Sequence, residues 1–152
     1  MPEDTFVKVK NLKKSYGNVE ALKGISFEIK RGEILGIVGP NGAGKSTFFS
    51  ILATISKANS GDIIVDGKSI TKDKQYIKKN IGYVPQEIAL YYSLSGWDNL
   101  NFWAGIYGLS GKEKRVAVEN AISDMNLQGV IKRRVDTYSG GMKRRLNIAI
   151  GL

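Results

Sequence analysis

Two residue types that carry much of protein chemistry are missing altogether. The 152 residues contain no cysteine, so neither a disulfide framework nor a thiolate metal site can form. They contain no histidine either, which excludes Ser-His-type triads and imidazole metal ligands. No apolar run approaches the roughly 20 residues that a membrane-spanning helix needs, and the N-terminus lacks a signal-like apolar core. A soluble cytosolic chain is the resulting expectation. Its length suits one domain with a real core, and an apolar content of 42% is ordinary for such a domain.

Acidic residues are outnumbered: 23 Lys and Arg stand against 14 Asp and Glu, a formal net charge of +9. Such an excess can be solvated surface charge, attraction to phosphate ligands or nucleic acid, or attraction to an anionic membrane. The basic residues are dispersed, with local clusters at Lys72–Lys79, Lys132–Arg134 and Lys143–Arg145. No basic arm or aromatic-interleaved stacking pattern accompanies them, so nucleic acid is the least favoured partner and plain surface charge the most favoured.

What is present is a phosphate-binding loop. Gly39, Pro40, Asn41, Gly42, Ala43, Gly44, Lys45 and Ser46 spell G-x-x-x-x-G-K-[ST] in full. The apolar run Ile34–Val38 precedes it and Thr47–Leu52 follows, the strand–turn–helix context the motif requires. Glycines let successive N–H groups point into one concavity, and the helix N-terminus adds partial positive charge. Lys45 has the length to reach β/γ-phosphates, and the Ser46 hydroxyl is a Mg²⁺ ligand by type. The pattern implies a nucleoside-triphosphate site. A guanine-reading N-K-x-D box is absent, which argues against a GTPase.

The flanks predict a first strand over 6–12 and a half-buried antiparallel strand over 25–30, with Ile25, Phe27 and Ile29 on one face. The unbroken apolar run of 33–39 predicts a strand covered on both faces. A helix is expected over 44–53, a strand over 62–66 closed by Asp66-Gly67, a short helix over 74–80 and a strand over 81–85. Ile63-Ile64-Val65-Asp66 imitates a Mg²⁺-positioning strand, but the following Gly67 makes a hairpin turn the better reading. Beyond Gln86 the period becomes helical. Trp97, Leu100, Ala104 and Tyr107 share one face, as do Val118, Ala121, Ile122 and Met125. A third helix is expected from Ser139 onward. The aromatics Tyr91, Tyr92, Trp97, Phe102, Trp103 and Tyr107 read as core or interface packing.

A second anion-receiving turn lies far along the chain, at Tyr138-Ser139-Gly140-Gly141-Met142, opening a helix with Lys143, Arg144 and Arg145. With this turn, Gly39–Ser46, Tyr16 in the first loop, Ser60-Gly61-Asp62-Ile63 and the Gly82-Tyr83-Val84-Pro85-Gln86 segment in hand, the chain resembles the nucleotide-binding domain of ABC transporters over essentially its whole length. The resemblance implies an α/β P-loop NTPase, a RecA-like core taken as incomplete, with an N-terminal antiparallel β subdomain and an α-helical subdomain. It divides the chain into 1–86 (ATP-binding core with β subdomain and Walker A), 87–138 (helical subdomain) and 139–152 (signature motif and the start of its helix). Nucleotide contacts fall on Tyr16 (adenine stacking), Gly39, Pro40, Asn41, Gly42, Ala43, Gly44, Lys45, Ser46, Thr47 and Gln86, with Ser46 and Gln86 on the metal. Ser139, Gly140 and Gly141 would bind the ATP of a partner subunit. Tyr138 and Met142 depart from the family's L-S-G-G-Q, so a polar contact from the last side chain is lost.

The implied cofactors are ATP and Mg²⁺. The implied partners are a second nucleotide-binding subunit and transmembrane permease subunits, with a cytoplasmic location on the inner face of the cell membrane and no nucleic acid. The implied function is ATP-driven transport, by the subgroup that exports drugs, lipids, polysaccharides or ions. A soluble, non-transport ATPase of the same fold is the alternative, disfavoured because 87–138 holds neither a heptad run nor room for one. A third reading is a non-hydrolysing, ATP-dependent interaction module. No apolar run ending in Asp-Glu is present, so no catalytic residue is assigned: the expectation is an N-terminal portion that binds Mg·ATP, hydrolyses it poorly and is marginally stable or self-associating.

Overall fold

The computed structural model describes residues 5–152. The chain forms two compact units, Met1–Ile81 and Gly82–Leu152, and each is described by itself.

In the first unit, β1 (Thr5–Tyr16) and β2 (Val19–Lys30) form a long antiparallel hairpin, and β1 also pairs antiparallel with β3 (Ser60–Val65). Among the described residues the sheet order is β2-β1-β3-β4, with β4 the short Lys68–Ser69. Alternation puts Val7 and Val9 of β1 and Ile63 and Val65 of β3 on the buried face, a register shift at Asn11 (φ 42°) returns Leu12 to it, and all pack over Phe48 and Ile51 of α1 (Lys45–Leu52). Asp66 (φ 50°) and Gly67 (φ 75°) make the two-residue turn between β3 and β4, as the Asp-Gly pair predicts. Helix α2 (Lys74–Asn80) contributes one buried residue, Ile77.

One strong expectation fails here. Residues 33–40 form no strand, and Ile34 and Val38 are each 97% exposed. A strand exists only through its neighbours' hydrogen bonds, and none of the four strands pairs with this run. Its apolar character says that both faces call for cover; it does not supply the cover.

The second unit is helical: α3 (Gly96–Ile106), α4 (Gly111–Asp124), a 3₁₀ turn at Val135–Thr137, and α5 (Gly140–Ile150). Its core joins Leu100, Ala104, Val118, Ala121, Ile122, Leu127, Ile131, Val135, Tyr138, Leu146 and Ala149. Helix α3 opens on a capping box, with Ser95 and Asp98 exchanging side-chain and main-chain bonds. Its expected face is corrected at both ends: Leu100 and Ala104 are buried, whereas Trp97 is 37% and Tyr107 62% exposed. Tyr107 falls just past the last helical residue, so the 3.6-residue period no longer governs it. Residues 81–85 are likewise not a strand. Among the described residues they join no strand ladder; Ile81 packs on the core of the first unit, and residues 82–85 are seated on α5 by other means, described below.

Candidate nucleotide site

The loop 39–46 folds as its residue types require. Gly42 (φ 82°) and Gly44 (φ 85°) both take the left-handed conformation that suits glycine. Gly44 has a second reason: a Cβ there would stand 2.3 Å from the Ala21 carbonyl oxygen on β2. At Gly42 an added Cβ meets nothing within 4 Å, so that side of the loop is open. The Ala43 N–H closes a turn on the Pro40 carbonyl (3.3 Å). Lys45 curls back over the loop, its Nζ donating to the carbonyls of Gly39 (2.6 Å) and Pro40 (2.7 Å). The ammonium therefore sits above the concavity and not out in solvent. Helix α1 starts at this point with no side-chain cap and no acid in its first turn, so no carboxylate competes for its positive end. Phe48 and Ile51, buried in the core, fix the helix and hence the loop. Ser46 is exposed beside the loop and Thr47 is half-buried.

Next to the loop opens a cleft of about 600 Å³, walled by β2, residues 35–38 and the start of α1. Above the wall, Glu28 accepts from the Lys8 ammonium and from Thr5 (3.1 Å), which together hold its carboxyl below the usual value. Tyr16, at the end of β1, is 52% exposed, with Lys14 Nζ 4.9 Å from its ring centroid. The structure thus gives the loop a shape and charge that fit a chain of phosphates. Among the described residues no group of three Asp, Glu, His or Cys could hold a metal on its own. A divalent ion here would depend on phosphate oxygens and the Ser46 hydroxyl, a donor set suited to Mg²⁺.

In the second unit Ser139 is the N-cap of α5, its Oγ accepting from the Met142 N–H at 3.3 Å. Gly140 and Gly141 form the exposed first turn, with open space where a Cβ would lie. Tyr138 turns away from this surface: it is 5% exposed, and its hydroxyl donates to the Val130 carbonyl at 2.7 Å. Burial pushes its phenol above the ordinary value, against a small opposing effect of Arg133. Met142 also packs toward the core. Gln86 is exposed. The loop 39–46 and Tyr16 therefore lie in the first unit, whereas Gln86 and the Ser139 turn lie in the second.

Sequence reasoning missed Asn99 and Asn147 and read Arg144 and Arg145 only as basic residues of an anion-receiving helix, whereas all four anchor main chain in the second unit. Asn99, fully buried, accepts from the Tyr91 N–H (2.8 Å) and donates to the carbonyls of Tyr91 (3.0 Å) and Ser95 (2.9 Å). Arg145 Nη1 donates to the carbonyls of Met125 (3.3 Å) and Asn126 (3.1 Å), closing the end of α4. Arg144 and Asn147 bind the segment before Gln86. A polar residue recurring among apolar ones on α5 was the available signal.

Loop, lysine and uncapped helix, seated on an antiparallel sheet, make this a P-loop NTPase fold. The ABC transporter family profile matches residues 22–152, and the chain belongs to that family. It is similar to the linearmycin resistance ATP-binding protein LnrL of Bacillus subtilis, 44% identical over 97% of this chain and 47% of that protein. It is also similar to the doxorubicin resistance ATP-binding protein DrrA of Mycobacterium tuberculosis, 38% identical over 99% of this chain and 46% of the relative. Among solved structures, cbiO1 of Clostridium perfringens, part of the ABC transporter complex cbiONQ, aligns with a TM-score of 0.86 and 36% identity. That alignment covers 99% of this chain and 62% of cbiO1. The chain spans about half the length of the curated relatives it matches.

Proposed function

We propose that this chain is the nucleotide-binding portion of an ATP-binding subunit from an export-type ABC transporter. Main-chain amides of Gly39–Thr47 and the Lys45 ammonium grip the triphosphate of ATP, Tyr16 stacks on adenine, and Ser46 and Gln86 ligate Mg²⁺. Ser139, Gly140 and Gly141 receive the γ-phosphate of an ATP held by a second nucleotide-binding subunit. Closure of that pair is passed to permease subunits at the cytoplasmic face of the membrane, and hydrolysis by the whole protein reopens it. Relatives named for resistance to linearmycin and doxorubicin support an exported, drug-like cargo.

The observation that carries the reading is Lys45 folded over an open glycine loop at an uncapped helix start. On binding, the ammonium exchanges two neutral carbonyls for anionic oxygens, and charge-assisted bonds are roughly twice as strong as neutral ones. Calorimetric titration with Mg·ATP tests it directly. Lys45→Ala is expected to weaken binding at least about tenfold, on the order of 1.5–3 kcal/mol for a hydrogen bond to a charged group. Undiminished affinity in the variant would end this reading. Co-purification of the chain with membrane subunits tests the transport assignment against a soluble ATPase.

A further inference from the structure

Residues 82–86 lie along α5 in a continuous seat. At the seat's far end Gly82 faces Gly151: a Cβ on Gly82 would stand 2.1 Å from the Gly151 carbonyl oxygen, and one on Gly151 would stand 2.5 Å from Val84 Cγ2. Further along, the Asn147 side chain, 4% exposed, donates to the Pro85 carbonyl at 3.4 Å. Closest to the helix start, Arg144 Nη1 donates to the carbonyls of Pro85 and Gln86, 3.1 Å each. Arg144 and Asn147 stand three residues apart on α5, so one stripe of the helix carries both hydrogen bonds, and Gly151 at its C-cap carries the contact with Gly82. Residues 82–86 belong to no strand, and the Arg144 and Asn147 side chains supply partners that a neighbouring strand would otherwise give the Pro85 and Gln86 carbonyls.

We propose that Arg144 is a positioning residue, which ties the main chain at Gln86 to the helix that begins with the Ser139-Gly140-Gly141 turn. The two elements that meet nucleotide in this unit then shift as one body. Ser139 precedes Arg144 by five residues, about 7.5 Å along the helix axis at 1.5 Å per residue. A tilt of the turn is therefore delivered to the Gln86 carbonyl through the Arg144 guanidinium, while Asn147 and Arg144 share the neighbouring Pro85 carbonyl. Because Arg144 is exposed, its bonds add little to global stability and act on where the loop rests. The inference deepens the nucleotide-binding reading above and rests on it for the role of Gln86.

The test uses the full 152-residue chain and two measurements. The carbonyl ¹³C chemical shifts of Pro85 and Gln86, without nucleotide, read the two accepted bonds directly. Arg144→Met, which keeps the aliphatic stem and removes the donors, is expected to move the Gln86 carbonyl upfield toward its value in an unbonded peptide, and the Pro85 carbonyl less, because Asn147 still donates to it. Arg144→Lys is expected to recover part of that change. ATP titrations with Mg²⁺ and with EDTA read the consequence: Arg144→Met weakens Mg·ATP binding about three- to tenfold and leaves Mg²⁺-free ATP binding unchanged. Unaltered carbonyl shifts overturn the clamp, and equal losses with and without Mg²⁺ overturn its positioning role. If the unaltered chain binds no ATP, the functional reading and the link to Gln86 both fall, while the carbonyl shifts still decide the clamp.

Discussion

At the residue scale, backbone conformation and unpaired polar groups decide more than residue type alone. Thr54 is a β-branched residue at φ 59°, 7% exposed, and its hydroxyl has no hydrogen-bond partner. Both features are unfavourable: left-handed backbone at a non-glycine residue costs on the order of 1–3 kcal/mol, and an orphaned buried hydroxyl adds to that. Thr54→Gly removes both and adds glycine's own entropy loss, so a net gain of about 1–2 kcal/mol is expected in urea unfolding. Gly44 is the opposite case. Gly44→Ala combines a left-handed alanine with a Cβ pressed 2.3 Å from the Ala21 carbonyl oxygen, and a loss of about 2–4 kcal/mol is expected in the same assay. Nothing about Ala21 in the sequence signals that approach, because β2 and α1 meet only once the chain is folded.

At the element scale, single buried polar side chains hold loops to helices. Asn99 supplies three hydrogen bonds to residues 91 and 95 from the first turns of α3, so Asn99→Ala leaves the Tyr91 N–H unpartnered and takes one of two donors from each of the Tyr91 and Ser95 carbonyls. A loss of about 2–4 kcal/mol is expected, read as a lower thermal midpoint. Tyr138 joins the 3₁₀ turn to the loop after α4, and its burial gives the unit an alkaline dependence. Its folded phenol titrates above the ordinary 10.0, so below pH 10 both folded and unfolded chains keep the proton and stability is complete. Above that the unfolded chain releases the proton first, and stability falls until the folded hydroxyl follows. Tyr138→Phe is expected to flatten the loss of stability above pH 10 in chemical unfolding series. An unchanged alkaline slope would count against this account.

At the scale of the whole molecule, the exposed apolar run is the feature that most shapes behaviour in solution. Ile34 and Val38 are almost entirely open to water, with Leu35 and Phe49 partly so. The chain is expected to bind an environment-sensitive apolar dye in the folded state, and Ile34→Ser, outside the cleft wall, to reduce that signal without lowering ATP affinity. Legibility followed the range of the interaction involved. The Asp66-Gly67 turn, α1, α2, α4 and α5 were readable because period and turn chemistry are local. The strands expected over 33–39 and 81–85 were not, since pairing is a property of two segments. In the site, the loop and the Ser139 turn were legible as motifs, whereas the anchors Asn99, Arg144, Arg145 and Asn147 were not.

The sequence by itself determined that a glycine loop followed by Lys45 opens a helix, that β1 and β2 alternate about one face, and that the second half is helical. These follow from dihedral preference and side-chain period, which neighbours along the chain set. Only the tertiary structure decided that Lys45 rests on Gly39 and Pro40, that Tyr138 turns inward to Val130, and that residues 82–86 lie on α5 instead of in a sheet. Those outcomes depend on which unpaired carbonyl lies within about 3 Å of which donor, a distance that exists only between segments already packed.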